Sequence, residues 1–161
     1  MLKSLNVPIF TLLAAGLVGC ATPRGAVMNT PEQAAVMATV HQFVDGFNAG
    51  DTTKALAACA DSISIIDDFP PHEWHGAGAG AAWFQGLEAY AKQQGITPVS
   101  VTLRRPTHVD ITGDRAYVVV PADYAYKFNG KLVGEPGARL TVALQKGAAG
   151  WRMTAWAWSR P

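Results

Sequence analysis

The second half of the chain is a succession of stretches rich in β-branched and aromatic residues, separated by short turn sequences. Turns are indicated at Thr112-Gly113-Asp114, Asn129-Gly130 and Gly147–Gly150, and Asn-Gly is a strong signal for a tight hairpin. Hairpins place consecutive strands side by side, so this half of the chain must form an antiparallel meander. The pattern predicts four long strands: Val99–Ile111, Arg115–Phe128, Lys131–Gln145 and Trp151–Ser159.

Three prolines interrupt these strands. Pro106, Pro121 and Pro136 cannot donate a backbone hydrogen bond to a neighbouring strand, so proline within a sheet is confined to edges and bulges. Bulges bend the strand that carries them. The predicted sheet is therefore strongly curved rather than flat.

Helices are predicted before the sheet. Thr30, Pro31 and Gln33 form a helix start, with a capping hydroxyl, a proline at the first helical position and a capping-box partner. Apolar residues at helical spacing give this helix one apolar stripe: Val36, Val40, Phe43 and Phe47. Asn48-Ala49-Gly50 ends the helix, and Asp51 caps a second, short helix that extends to about Cys59.

A strand and a third helix complete the first half. Ser62–Ile66 has the β-branched content and alternation of a strand, which Asp67–Pro71 ends. The following His72–Gly76 is expected to be extended. A third helix then places three large residues on one face and closes at Gly95: Trp83, Leu87 and Tyr90.

Helices segregated against one bent antiparallel sheet define an α+β fold. We expect a single domain over residues 30–161, shaped as a cone, with the helices closing a central cavity that suits a small molecule. Of the 161 residues, 49% are hydrophobic and 16% are charged, and the formal net charge is +1. With no basic patch, nucleic acid is not an expected partner.

The N-terminus predicts export. Residues 1–19 combine one positive charge at Lys3, an apolar run and a small-residue exit, which is the layout of a signal peptide. The ending Leu17-Val18-Gly19-Cys20 resembles the bacterial lipobox, which implies cleavage before Cys20 and its lipidation. Residues 20–29 would then be a tether. We expect a lipid-anchored protein of the cell envelope, with ordinary secretion as the alternative, and Ala21 favours the outer membrane, facing the periplasm.

Phe43-Val44-Asp45-Gly46-Phe47-Asn48-Ala49-Gly50-Asp51 resembles the first-helix signature of nuclear-transport-factor-2-like proteins. That superfamily includes ketosteroid isomerases, SnoaL-like polyketide cyclases and limonene-epoxide hydrolases. The resemblance extends over nearly all of residues 31–161 and implies the cone-shaped fold. It implies less about function, because one fold hosts many activities.

By this resemblance, Asp67 takes the position of the carboxylate that moves the proton in ketosteroid isomerases. The first oxyanion donor of the family, a tyrosine, falls on Phe43, which has no hydroxyl. The second donor falls near Thr141. Without strong donors a dienolate would not be stabilised, so steroid isomerisation is not expected.

His72 and His75 are candidates to assist Asp67 in acid–base chemistry. Three-residue spacing would bring both imidazoles to one metal only in a helix, whereas the prolines before them favour extended chain. No metal site and no cofactor are therefore expected. His41 and His108 are interpreted as structural, and Cys59 as a buried small hydrophobic residue.

Aromatic residues that share strand faces are expected to wall the pocket and to stack on a flat apolar ligand. The alternative is that they fill the cone. The expected pocket residues are Phe43, Phe47, Trp74, Tyr124, Tyr126, Thr141, Thr154, Trp156 and Trp158. On the opposite sheet face, we expect an apolar row that could pair two copies into a homodimer: Leu140, Val142 and Leu144.

Three functions follow from these expectations. The first is an envelope lipoprotein that binds a small, mostly apolar or aromatic molecule in the cone. The second is a cofactor-free isomerase, cyclase, hydratase or hydrolase with Asp67 as general base. The third is a structural or dimerisation module whose cone is filled. The state of the cavity and the surroundings of Asp67 distinguish the three.

Overall fold

The computed structural model describes residues 30–161, so the predicted signal peptide, Cys20 and the tether over 20–29 lie outside the described residues. Three helices and seven strands follow one another in the described part of the chain. In chain order they are α1 (Pro31–Asn48), α2 (Thr52–Leu56), β1 (Cys59–Ile66), β2 (Glu73–Ala77), α3 (Ala79–Gln94), β3 (Ile96–Leu103), β4 (His108–Thr112), β5 (Arg115–Phe128), β6 (Lys131–Gly147) and β7 (Gly150–Ser159).

The seven strands form one sheet in the order β2-β1-β7-β6-β5-β3, and β4 pairs with β5 beside β3. All neighbours are antiparallel except β1 and β7, which run parallel. The sheet is therefore mixed, strongly curved and not closed into a barrel. The α+β cone expected from the sequence is confirmed, with this one parallel pair as an addition.

The strand predicted over Val99–Ile111 is two strands. Residues 104–107 leave the regular ladder around Pro106, whose ring lacks an N–H and restricts the preceding residue. This irregular segment remains beside β5, because Arg104 N donates to the Pro121 carbonyl at 2.8 Å and Thr107 N donates to the Val119 carbonyl at 2.9 Å. β3 and β4 thus occupy successive stretches of one edge of β5.

The other two prolines lie where the sheet bends, as predicted. The register between β5 and β6 shifts between Ala122 and Asp123, directly after Pro121, and Asp123 stands opposite Pro136. A second shift lies between Ala143 and Leu144, where β6 meets β7. Such bulges increase local twist and let long strands wrap around the helices.

The helix starts follow the predicted chemistry. The Thr30 hydroxyl oxygen accepts a hydrogen bond from Gln33 N at 3.1 Å, and the Asp51 carboxylate accepts one from Lys54 N at 2.9 Å. The second helix ends at Leu56, earlier than expected, because β1 begins at Cys59. None of the helices in residues 30–161 is long and apolar enough to cross a membrane.

The core lies between α1, α3 and the concave face of the sheet. Leu140, Val142 and Leu144 are buried within it, at 2%, 0% and 1% exposure. The prediction that they form an outer apolar row was wrong, because side chains alternate along β6 and it is Thr141 and Ala143 that face away from the core. Cys59 is buried as expected, and burial raises the pKa of its thiol to about 12.

Candidate functional site

A cavity of about 80 Å³ lies in the mouth of the cone, between the C-terminal half of α1, one face of α3 and the ends of the central strands. Its wall is aromatic and aliphatic except for two carboxyl groups and one guanidinium. The lining residues are Phe43, Val44, Phe47, Asp67, Asp68, Phe69, Trp83, Leu87, Tyr90, Ile96, Val101, Tyr124, Leu140, Trp156, Trp158 and Arg160.

Asp67 is the buried polar group of this wall, with 8% of its surface exposed. It follows the last residue of β1, where the chain turns back towards β2 and Asp67 N donates to the His72 carbonyl at 3.0 Å. One carboxyl oxygen accepts from Asp68 N at 2.7 Å, and the other accepts from the Trp83 indole N–H at 2.8 Å. These bonds fix the carboxyl group at the cavity wall.

Burial raises the pKa of Asp67 to about 7, because desolvation disfavours the charged form. The hydrogen bonds from Asp68 N and Trp83 oppose this rise, whereas the neighbouring Asp68 carboxyl adds to it. A carboxyl group with a pKa near neutrality can both accept and release a proton under ordinary conditions. The buried Asp67 carboxyl group therefore holds its proton more tightly than a solvated turn aspartate does.

The rim of the cavity carries a charged network. The Arg160 guanidinium pairs with the Asp68 carboxylate and lies 3.6 Å from the carboxylate of Glu135. The Tyr126 hydroxyl donates to the same Glu135 carboxylate at 3.0 Å. Asp68 and Asp67 thus have different surroundings although they are neighbours in sequence, since Asp68 has a cationic partner and Asp67 is buried among rings.

Aromatic rings pack closely around the cavity. The ring centroid of Trp83 lies 4.9 Å from that of Trp156, 4.8 Å from that of Phe84 and 6.1 Å from that of Phe43. Trp83 and Trp156 meet edge to face, an arrangement that aromatic pairs favour. The Trp156 indole N–H is buried and has no hydrogen-bond partner within residues 30–161. The cone is thus largely filled by rings, and the cavity is the space left between them.

The two candidate histidines are not at the carboxyl group of Asp67. His72 is exposed, and its Nδ1 lies 3.2 Å from the backbone carbonyl oxygen of Asp67. His75 is on β2, with its Nε2 at 3.3 Å from the Glu73 carboxylate on the protein surface. Neither histidine lines the cavity. The predicted extended chain begins only at Glu73. His72 precedes β2 with a left-handed backbone (φ 74°), and β2, at the edge of the sheet, carries His75 away from Asp67.

The structure places five of the nine predicted pocket residues in the cavity wall: Phe43, Phe47, Tyr124, Trp156 and Trp158. The other four lie outside the wall. Trp74 packs on Phe69 at 5.0 Å between centroids, and the Tyr126 hydroxyl bonds to Glu135. Thr141 faces away from the core, and the Thr154 hydroxyl donates to the Ala143 carbonyl at the bulge.

Sequence reasoning missed how α3 contributes to the site. Trp83, Leu87 and Tyr90 were expected on one helix face, and that face lines the cavity, with Trp83 binding Asp67 directly. Their shared face was the signal that could have found them. Arg160 had no comparable signal, since a single cation after the last strand does not reveal its partner.

The arrangement offers few donors for a developing negative charge. Phe43 has no hydroxyl, and Thr141 is outside the cavity. Tyr124 does line it, and burial raises the pKa of its hydroxyl to about 12, so that this hydroxyl keeps its proton. Within residues 30–161, no three His, Cys, Asp or Glu side chains are grouped so that they could hold a metal ion.

The chain belongs to the SnoaL-like domain family, whose model matches residues 36–161. None of the curated proteins compared with the chain matches its sequence. Similar folds are found among solved structures. An NTF2-like protein with a cystatin-like fold from Novosphingobium aromaticivorans has 14% identity and a TM-score of 0.65, over 80% of this chain and 81% of that chain.

Two further structures support the same fold. A ketosteroid isomerase-like protein from Erwinia carotovora atroseptica has 17% identity and a TM-score of 0.63, over 81% of this chain and 97% of that chain. A nuclear transport factor 2-like superfamily protein from Salmonella enterica has 18% identity and a TM-score of 0.64, over 80% of this chain and 90% of that chain. This fold hosts both enzymes and binding proteins, so the function must be argued from the site.

Proposed function

We propose that this protein is a cell-envelope lipoprotein whose domain binds a small, mostly apolar molecule in the mouth of the cone. The observation that supports this proposal is a cavity of about 80 Å³ with aromatic and aliphatic walls, left between rings that otherwise pack closely. Concave, mainly apolar sites with a few polar groups are typical of small-molecule binding.

The volume limits the ligand to a compact one. A cavity of about 150 Å³ lined by aliphatic and aromatic side chains is enough to bind benzene. The cavity here is about half as large, and its wall includes the polar side chains of Asp68, Tyr124 and Arg160. The ligand is therefore a short or branched molecule. Its apolar part occupies the cavity, and the rest of it extends to the rim.

Two substitutions on β3 test the cavity as the binding site. Val101 lines the cavity, whereas Val99 on the same strand does not and is 39% exposed. Val101→Phe places a ring in the cavity mouth and is expected to abolish binding of small apolar molecules, measured by ligand-observed NMR. Val99→Phe is the matched control and is expected to bind normally. Equal binding by the two variants would exclude this cavity as the site.

Membrane attachment is the second part of the proposal. It is supported by the charged start, the apolar run and the lipobox-like ending at Cys20. The proposed location is the outer membrane, facing the periplasm, with a soluble secreted or periplasmic form as the alternative. Cys20→Ser is expected to move the protein from the membrane fraction to the soluble fraction. A variant that stays in the membrane fraction would refute lipidation at Cys20.

A cofactor-free acid–base enzyme is the second candidate function, and the buried Asp67 carboxyl group favours it. In such a reaction the Asp67 carboxylate would take a proton from a carbon next to a carbonyl and return it to the same or a nearby carbon. Cyclopentanone in D2O is a suitable probe, because each removal and return replaces a hydrogen by deuterium. Exchange faster than in buffer and lost in Asp67→Asn would support catalysis, and exchange equal to buffer would refute it.

A homodimer through the outer face of the sheet stays a prediction. The row first expected to form it is buried, but the outer face carries Thr141 and Ala143, and Tyr117 is 47% exposed. Analytical ultracentrifugation tests it directly. Tyr117→Lys is expected to convert a dimer to a monomer, and a monomeric unmodified protein would refute the prediction.

A further inference from the structure

The chemistry of the cavity wall specifies the ligand more closely than size alone, given the proposed function on which this inference rests. We propose that the ligand is a compact alkylammonium cation whose positive nitrogen lies between the aromatic wall and the Asp67 carboxylate. The inference rests on the composition of the wall, on the charge balance of the site and on the surroundings of Asp67.

The aromatic wall is suited to a cation. Eight of the lining side chains carry aromatic rings, and three of these are indoles, which are the best acceptors for cation–π attraction. A positive group near such rings gains more when it is desolvated, as it would be beside side chains that are mostly buried. The three indoles belong to Trp83, Trp156 and Trp158.

The cavity wall carries more negative than positive groups. The charged residues in the wall are Asp67, Asp68 and Arg160, and Arg160 pairs with Asp68 and lies close to Glu135. The residues that the structure describes give the Asp67 carboxyl group no cationic partner, because its oxygens accept from Asp68 N and the Trp83 indole. A buried carboxylate without a counter-charge is costly, and a cation in the cavity removes that cost.

Other ligand charges fit less well. An anion would approach two carboxyl groups, and the one guanidinium in the cavity wall is already shared between Asp68 and Glu135. A neutral molecule suits only the protonated Asp67 carboxyl group and gains nothing from its ionised form. A cation is the ligand whose charge complements that of the wall.

The proposal predicts a direction for the pH dependence. Burial raises the pKa of Asp67 to about 7, and a cation binds the ionised form, so affinity for a cation should rise with pH until Asp67 is ionised and then level off. Below that pKa, affinity should fall by up to about tenfold for each pH unit. The ionisable groups around Asp67 and the cavity mouth are Asp68, His72, Tyr90, Tyr124, Glu135 and Arg160.

The test uses two probes of nearly the same shape. Choline carries a quaternary nitrogen, and 3,3-dimethylbutan-1-ol has a carbon in its place. At about pH 8, isothermal titration calorimetry is expected to give at least about tenfold tighter binding of choline. Asp67→Asn is expected to reduce this preference several-fold, because only the attraction of the aromatic rings remains, while the neutral alcohol still binds. Asp61→Asn, which changes an exposed acid on β1, is the matched control and should keep the preference.

The outcomes separate the two proposals. If the alcohol binds as tightly as choline or more tightly, the cationic ligand is refuted and the apolar cavity stands as a binding site. If neither probe binds the unmodified protein, both proposals fail. If Asp67→Asn does not fold, as judged by circular dichroism, the pH dependence of the unmodified protein decides. Choline affinity that does not change between about pH 5 and pH 8 would overturn the proposal.

Discussion

Replacing Asp67 by asparagine tests the buried carboxyl group through protein stability. In the folded protein the pKa of Asp67 is about 7, above its ordinary value of 3.8. The folded state therefore holds this proton more tightly than the unfolded state does. The stabilisation that results is complete below about pH 4, is lost as the pH rises to about 7, and is constant above that. The amide of the Asp67→Asn variant does not titrate, so the variant lacks this pH dependence.

The magnitude follows from the two pKa values. The difference between 3.8 and about 7 corresponds to about 4 kcal/mol, because each pKa unit is worth about 1.4 kcal/mol. The amide has one acceptor oxygen where the carboxyl group has two, and Asp68 N and Trp83 both donate to this side chain. Losing one acceptor costs about 1–3 kcal/mol at every pH. Asp67→Asn should thus be less stable near pH 4 and more stable near pH 8.

Urea unfolding at a series of pH values measures this difference directly. The free energy of unfolding of the variant minus that of the unmodified protein should rise by about 4 kcal/mol from about pH 4 to pH 8. Asp61→Asn, at an exposed position of β1, should show a much smaller change. A difference for Asp67→Asn that stays constant across this range would show that the pKa is not raised, and the argument from burial would be refuted.

Four further substitutions test the packing and the hydrogen bonds of the helices. Gly46→Ala would place a Cβ 2.5 Å from Ala55 N, so the free energy of unfolding, measured in urea, should fall by about 1–3 kcal/mol. In the control Gly86→Ala the new Cβ meets its nearest atom at 3.4 Å, so this variant should be equally stable or more stable. Equal effects would contradict the close approach of α1 and α2. Thr30→Ala removes the cap of α1 and should lower the free energy of unfolding by about 1 kcal/mol. An unchanged stability would show that the cap is unimportant. Trp83→Phe removes a donor to Asp67 and should raise the pKa of that carboxyl group further, measured by NMR titration; an unchanged pKa would show that the bond contributes nothing.

Local sequence patterns predicted most of the fold because its chemistry is local. The cap at Thr30, the stop at Asn48-Ala49-Gly50 and the bends near Pro121 and Pro136 each depend on a few neighbouring residues. The position of Asp67 at the end of β1 was also predictable, since the strand ends there. The parallel pairing of β1 with β7 was not, because it joins the first strand of the sheet to the last one in the chain.

The details of the site depended on partners that are distant in sequence. Along β6, apolar residues alternate with smaller or polar ones, and this pattern does not say which sheet face is buried. Only the packing of the surrounding elements places Leu140, Val142 and Leu144 in the core. The two candidate histidines were near Asp67 in sequence, but His72 is exposed in the turn before β2, and β2 carries His75 along the sheet edge. Arg160 reaches Asp68 across the fold, and no local pattern indicates that contact. The contact of Trp83 with Asp67 had only the apolar face of α3 as its signal.

The five tryptophans provide the most direct test of the binding cavity. Trp83, Trp156 and Trp158 line it, whereas Trp74 and Trp151 do not. Their indole N–H signals can be followed in an NMR spectrum while 3,3-dimethylbutan-1-ol or choline is added. A ligand in the cavity should shift the signals of the three lining tryptophans and leave Trp151, which binds Glu32 at the other end of α1, unchanged. No shift at saturating concentrations, or a shift of Trp151 with the lining residues unchanged, would contradict a small-molecule site in the cone.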